Sequence, residues 1–152
     1  MKRVWLALPV ALLLLYVGAL ASCTSLPAHT AAPYDRDPVA AAAIEREAAA
    51  WCAEHGEPAG KPPLPFRFDG CSFWPDGDYR DCCQIHDYAY WCGGSRKARA
   101  AADEELRACV ARVRGDATGR LMWLGVRAGG HPAVPLYFRW GYGHEYAGCY
   151  PD

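Results

Sequence analysis

The longest unbroken apolar stretch of the chain spans residues 4–20, and beyond it the hydrophobic positions fall into helical spacing interrupted by turn-rich breaks. The first periodic segment follows Asp37-Pro38, a capping side chain with proline at the first helical position, and it stops at Gly56. This predicts a helix over 38–54 with Ile44, Ala48, Trp51 and Cys52 on one face. Residues 56–70 hold four prolines and three glycines and read as an ordered loop or an extended arm. A second helix is expected over 79–92, between the turn Trp74-Pro75-Asp76-Gly77-Asp78 and the stop Gly93-Gly94. Ser95 is placed to cap a third, running to residue 114, with Ala98, Ala102, Leu106, Cys109, Val110 and Val113 at helical spacing up to Gly115. Asp116 is placed to cap a short one through Val126. The stretch 129–152, rich in Gly, Pro and aromatics without periodicity, predicts packed loops or a small hairpin.

The uninterrupted apolar stretch changes the picture of the first residues. Lys2 and Arg3 precede it, small residues follow it, and it is too short and too close to the start to read as a membrane-spanning core, so residues 1–22 form an export signal. The ending Leu20-Ala21-Ser22-Cys23 resembles the bacterial lipobox, which implies an acylated Cys23 as the mature first residue. The alternative is ordinary signal cleavage ahead of a cysteine. Thr24, rather than Asp, after that cysteine points to the outer membrane, facing the periplasm or the cell surface. Several acyl chains, palmitate among them, would hold the protein on a membrane where one would not. The small, polar, Pro-containing segment 23–36 reads as a flexible tether to a domain at 37–152.

Composition narrows the classes further. Setting aside residues 1–22 removes Lys2 and Arg3 from the 16 basic residues, leaving 14 against 17 acidic, a net of −3. That balance supplies no bulk electrostatic drive toward nucleic acid and excludes a nonspecific phosphate-backbone binder. The mature length suits one domain whose core benefits from covalent ties. Export into an oxidising compartment makes disulfides among the cysteines other than Cys23, seven of the eight, the natural source of those ties.

The densest chemistry is Cys82-Cys83-Gln84-Ile85-His86-Asp87-Tyr88-Ala89-Tyr90, a histidine and a carboxylate side by side on a helix that opens with two cysteines. A His-Asp pair on a helix is most often a solvated surface pair. This run, however, resembles the active-site helix of secreted phospholipases A2, Cys-Cys-x-x-His-Asp-x-Cys-Tyr, and the similarity extends over residues 70–110. The resemblance implies a mainly α fold built on a disulfide-linked antiparallel helix pair, with an N-terminal helix and aromatic loops around it. It implies that His86 is the base that takes a proton from water, that Asp103 on the opposite helix orients the imidazole, and that the Tyr90 hydroxyl supports Asp103. A core aromatic at helical spacing is the plainer reading of Tyr90.

Two antiparallel helices joined at Gly93-Gly94 pair residues whose numbers add to a near-constant sum. His86 with Asp103, Cys82 with Cys109 and Ala89 with Ala102 agree to within two residues. The family carries cysteines at the positions of Ala89 and Ala102, so both members of one bridge are missing here. By resemblance Cys82 pairs with Cys109, and Cys71 with Cys83. Cys92 would face Ala98 and must look to Cys52 or Cys149.

The resemblance also implies calcium, held by Asp87 and by backbone carbonyls of the preceding loop, for which Gly70, Ser72 and Trp74 are the candidates. That loop, Ser72-Phe73-Trp74-Pro75-Asp76-Gly77, lacks the family's glycines. Asp69, Asp76 and Asp78 suit caps and turns as well as ligation. The aromatic run from Phe138 to His144 reads as core packing in preference to a lipid surface, and His131 and His144, without metal-ligand spacing, read as structural. The activity implied is calcium-dependent hydrolysis of the sn-2 ester of glycerophospholipids at a phospholipid membrane surface, with no nucleic acid or protein partner implied. Two alternatives stand beside it: an envelope lipoprotein that binds lipid or a partner without turnover, and an esterase acting on another lipid.

Overall fold

The computed structural model describes residues 37–57 and 60–151. The export signal at 1–22, the acylation at Cys23 and the tether at 23–36 lie outside the described residues. Helices α1 (Pro38–His55), α2 (Arg80–Cys92), α3 (Arg96–Arg114) and α4 (Asp116–Gly129) carry the fold, with no strand among the described residues. The protein is thus mainly α and disulfide-linked, and the tail is built of loops rather than the alternative hairpin. No helix among the described residues is long and apolar enough to cross a membrane.

Local chemistry sets most of the helix ends. The Asp37 carboxylate accepts a hydrogen bond from Val39 N at 2.9 Å, with Pro38 at the first position of α1, where its missing N–H costs nothing. Ser95 Oγ accepts from Ala98 N at 3.1 Å and opens α3. Between α2 and α3, Gly93 takes φ 72°, and a Cβ there would come within 2.8 Å of Gly141 Cα. Two backbones touch at that point, which only glycine permits. Two expectations are corrected. Gly115, not Asp116, caps α4, and Asp116 sits in the first turn where its charge suits the helix dipole. The helix also continues past Val126 to Gly129. Val113, counted on the apolar face of α3, lies 44% exposed because the last turn runs beyond the packed region.

The helices pack in sequence order, α1 on α2, α2 on α3 and α3 on α4. Contacts at Cys82–Cys109, His86–Asp103 and Tyr90–Arg99 run in opposite directions along α2 and α3, so that pair is antiparallel. The larger core cluster is aromatic, with Phe66, Tyr88, Trp91, Trp140 and Tyr142 gathered around Ala48, Cys52 and Cys92. A second cluster joins Cys71, Cys82 and Cys83 to Leu106, Val110 and Met122. Backbone bonds from Gly141 N to Tyr90 O at 2.7 Å and from Gly143 N to Trp91 O at 3.2 Å fasten the tail to α2. Trp140 Nε1 donates to Gly94 O at 2.7 Å, and His144 Nε2 lies 3.0 Å from Cys92 O. Thus the tail ties off carbonyls at the end of α2.

Among the described residues three bridges close the fold: Cys71–Cys83, Cys82–Cys109 and Cys52–Cys92. Cys92 therefore takes Cys52 rather than Cys149, joining α1 to the end of α2 with a Cα–Cα separation of 5.6 Å. Peptide mapping should recover these pairs. Replacing Cys52 and Cys92 together by alanine should lower the unfolding free energy by about 2–5 kcal/mol, read by chemical denaturation. A mapped Cys82–Cys52 or Cys82–Cys149 bridge would contradict the pairing.

Candidate active site

The site grows from one turn of α2 facing one turn of α3. His86 is 7% exposed and Asp103 is fully buried, and His86 Nε2 lies 3.0 Å from Asp103 Oδ1. One turn further along α2, the Tyr90 hydroxyl donates to the same oxygen at 2.7 Å, and its ring packs against the imidazole with centroids 4.2 Å apart. The other oxygen, Oδ2, accepts from Arg127 Nη1 of α4 at 2.7 Å and has Arg99 Nε 3.7 Å away. Burial works against charge on Asp103, but the hydrogen bonds from His86, Tyr90 and Arg127 outweigh it and hold the carboxyl below its ordinary range. Facing an anion, Nε2 carries the ring hydrogen, which leaves Nδ1 as the lone-pair nitrogen. Burial pushes the Tyr90 phenol well above its ordinary value, with the Asp103 charge adding to it, so Tyr90 is a fixed donor.

On the Nδ1 side stands Asp87, whose Oδ1 is 4.0 Å from that nitrogen. The Asp87 carboxylate accepts no hydrogen bond from a described residue. Burial, and then the nearby charge of Asp69, push its carboxyl well above the usual range. Asp69 in turn accepts hydrogen bonds from Ser72 Oγ and, at 2.6 Å, from the Tyr137 hydroxyl. Asp76 is a turn former, accepting from Cys71 N at 2.9 Å, and a Cβ on Gly70, whose φ is 76°, would collide with its carboxylate. Asp78 pairs with Arg114 at 2.6 Å on the surface. Phe73 at the tip of the loop takes φ 61° and is 87% exposed, a strained place for an aromatic residue.

Among the described residues no group of three His, Cys, Asp or Glu side chains converges as a metal cluster. The donor set beside His86 is of another kind: Asp87, its neighbour Asp69, and a loop whose Gly70, Ser72 and Trp74 line the same cavity as Asp87. No described donor bonds the carbonyls of those three residues. Asp87 and the backbone carbonyls of that loop are oxygen donors, the kind a hard cation prefers.

His86, Asp87 and Tyr90, with Ser72, form the polar part of a mainly apolar cavity of about 560 Å³. One wall comes from α4, through Leu121, Met122, Leu124 and Val126, and the other from Phe73, Trp74, Leu136 and Phe138. The aromatic run from Phe138 therefore divides, with Trp140 and Tyr142 in the core and Phe138 on the cavity. A smaller cavity of about 260 Å³ lies between α2 and α3, where Ala89 and Ala102 both line it beside His86.

Comparison with known protein families, with curated proteins and with solved structures finds no match to this chain. The structure brings His86, Asp103 and Tyr90 into one network, and Asp87, Gly70, Ser72 and Trp74 to one cavity. It adds Arg99 and Arg127, which the sequence did not single out, and of the three aspartates read as caps, turn formers or ligands it sets Asp69 near Asp87. Arg99 lies four residues before Asp103, inside the apolar face of α3, and that placement was the available signal.

Tyr137 reports on the carboxylate pair. Its hydrogen bond to Asp69, helped by burial, pushes the phenol up to about 12. The phenolate absorbance difference between wild type and Tyr137→Phe should show that midpoint, and Asp69→Asn should return it toward 10.0. The folded phenol stays neutral to higher pH than the unfolded one. Its contribution to stability is therefore complete below the ordinary tyrosine value and is lost as pH rises through about 12.

Proposed function

We propose that the protein hydrolyses the sn-2 acyl ester of glycerophospholipids, releasing a fatty acid and a lysophospholipid, as a phospholipase A2-like lipoprotein of a bacterial envelope. The observation that carries the reading is His86, bonded through Nε2 to a buried carboxylate, with Nδ1 on the side of Asp87 and an apolar cavity around both. An imidazole so held accepts a proton from water, whose oxygen then attacks the ester carbonyl. As the intermediate collapses, the proton on Nδ1 passes to the departing glycerol oxygen and the imidazole returns to its starting form. Asp103 keeps the ring in one tautomer throughout, and Tyr90 holds Asp103. The apolar walls accept the acyl chain and exclude competing water.

Calcium would be held here by Asp87 and the carbonyls of Gly70, Ser72 and Trp74, with the charge of Asp69 nearby. When bound, the ion would polarise the ester carbonyl. Acylation of Cys23 would keep the domain at the outer membrane, on the phospholipid surface it acts upon. The same cavity also favours a second reading, an envelope lipoprotein that binds lipid without turnover. An esterase for another lipid would use the same residues.

Fatty-acid release from mixed phospholipid vesicles, with and without a calcium chelator, separates these readings. The substitutions should fail differently. His86→Gln removes the proton acceptor, so turnover should fall by about 10²–10⁴-fold while calcium affinity stays near wild type. Asp87→Asn should lower calcium binding and hydrolysis together. Asp103→Asn should cause a partial loss that added calcium does not restore. A wild type that binds calcium-free vesicles but releases no fatty acid under any condition would favour the binding protein. Equal hydrolysis in chelator would remove the role given to Asp87.

A further inference from the structure

Asp103 poses an electrostatic problem that His86 and Tyr90 do not solve. A carboxylate removed from water loses hydration worth several kcal/mol, and neutral donors return only part of it, so an isolated buried carboxyl takes up a proton instead. The groups that face Asp103 are few and come from three helices. His86 and Tyr90 of α2 both bond Oδ1. Arg99, on α3 itself, stops 3.7 Å short of Oδ2, because its donors are engaged elsewhere. Its Nε donates to the Tyr90 hydroxyl at 3.2 Å, Nη1 to the Tyr150 hydroxyl at 2.8 Å, and Nη2 to Val126 O and Arg127 O at 2.8 and 2.9 Å. Among the described residues, only Arg127 of α4 places a charged donor on Oδ2 within hydrogen-bond distance, at 2.7 Å.

We propose that Arg127 is a positioning residue for the catalytic histidine: by holding Asp103 as an anion, it fixes His86 in the tautomer whose lone pair, on Nδ1, faces the cavity. This rests on the reading of His86 as the base and adds a second layer to it. The alternative arrangement is definite. With a proton on Asp103, the carboxyl O–H donates to Nε2, and the ring hydrogen must then sit on Nδ1. The pair then holds one proton more, taken up from solvent by the carboxyl, while the ring stays neutral and moves its N–H from Nε2 to Nδ1. Such a ring is neutral and correctly placed, yet has no lone pair toward Asp87 and the cavity. Arg99 and Arg127 divide the work. The first binds α3 to the last turn of α4, and that attachment delivers the second to Oδ2. The Arg127 side chain is 31% exposed whereas that of Arg99 is 1% exposed, so Arg127 can be replaced without opening the core.

The test compares full-length wild type with Arg127→Met, Arg127→Gln and Arg127→Lys, each first shown to be folded by near-ultraviolet circular dichroism. Imidazole N–H spectra assign the tautomer of His86, and vesicle hydrolysis gives kcat and KM separately. Wild type and Arg127→Lys should carry the hydrogen on Nε2, and the two neutral variants should carry it on Nδ1. The neutral variants should lose about tenfold to a hundredfold in kcat with KM unchanged, and the lysine variant should recover most of that loss. Retention of the Nε2 hydrogen and of wild-type kcat in a folded neutral variant would overturn the proposal. So would a folded lysine variant as impaired as the neutral ones. Should wild type hydrolyse no lipid, the hydrolase reading fails by itself, and the tautomer spectra still decide the role of Arg127.

Discussion

A carboxylate with no exposure to water, Asp103, is the constraint on which the arrangement of helices turns. Its partners arrive from α2 and α4 while it sits on α3, so satisfying one charge requires all three helices to be in register. Removing one partner of such a buried pair typically costs about 3–5 kcal/mol, a large share of the stability of a domain this size. The charge therefore specifies the packing as much as the packing shelters the charge. Arg99 extends the same logic outward, since its donors reach the end of α4 and Tyr150 of the tail.

Around this polar centre the core is unusual in composition. Apart from Leu106, Val110 and Met122, few aliphatic side chains are fully buried, and much of the interior is cystine and aromatic. Aromatic side chains with polar tips suit a chain that must fold over a long, non-repetitive tail. Trp91 Nε1 reaches Leu64 O, Tyr142 reaches Arg67 O and Tyr146 reaches Ala133 O, so each buried ring also fixes a loop. The three disulfides among the described residues supply a further constraint, two of them anchored at the adjacent pair Cys82 and Cys83.

Helix positions were legible in the sequence where the signals are local. Asp37-Pro38, Ser95, Gly93-Gly94 and Gly115 each act within a turn of their own position. The facing of His86 and Asp103 could be read because a two-glycine turn between helices leaves little freedom in register. The C-terminal part of α4 could not be read in the same way. Gly125 and Gly129 weaken the helical pattern there, so Val126 appeared to be its end and Arg127 fell outside it. Arg99 escaped notice because an arginine among alanines ordinarily points to solvent. Its burial follows from Tyr90, Tyr150 and the α4 carbonyls, groups up to 51 residues away. The path of the tail depends on similar long-range bonds, which no local periodicity announces.

The attachment of Arg99 to Tyr150, together with the bond from Gly141 to Tyr90, bears on how the protein is made. Residues of α2, α3 and α4 emerge from the ribosome before the tail does, and segments that emerge first begin to fold first. Until Gly141 and Tyr150 have docked, the Tyr90 carbonyl and the Arg99 guanidinium lack partners that they have in the finished fold. The bridges, moreover, close only in an oxidising compartment. The network around His86 and Asp103 therefore takes its final form only once the tail has been made and has docked.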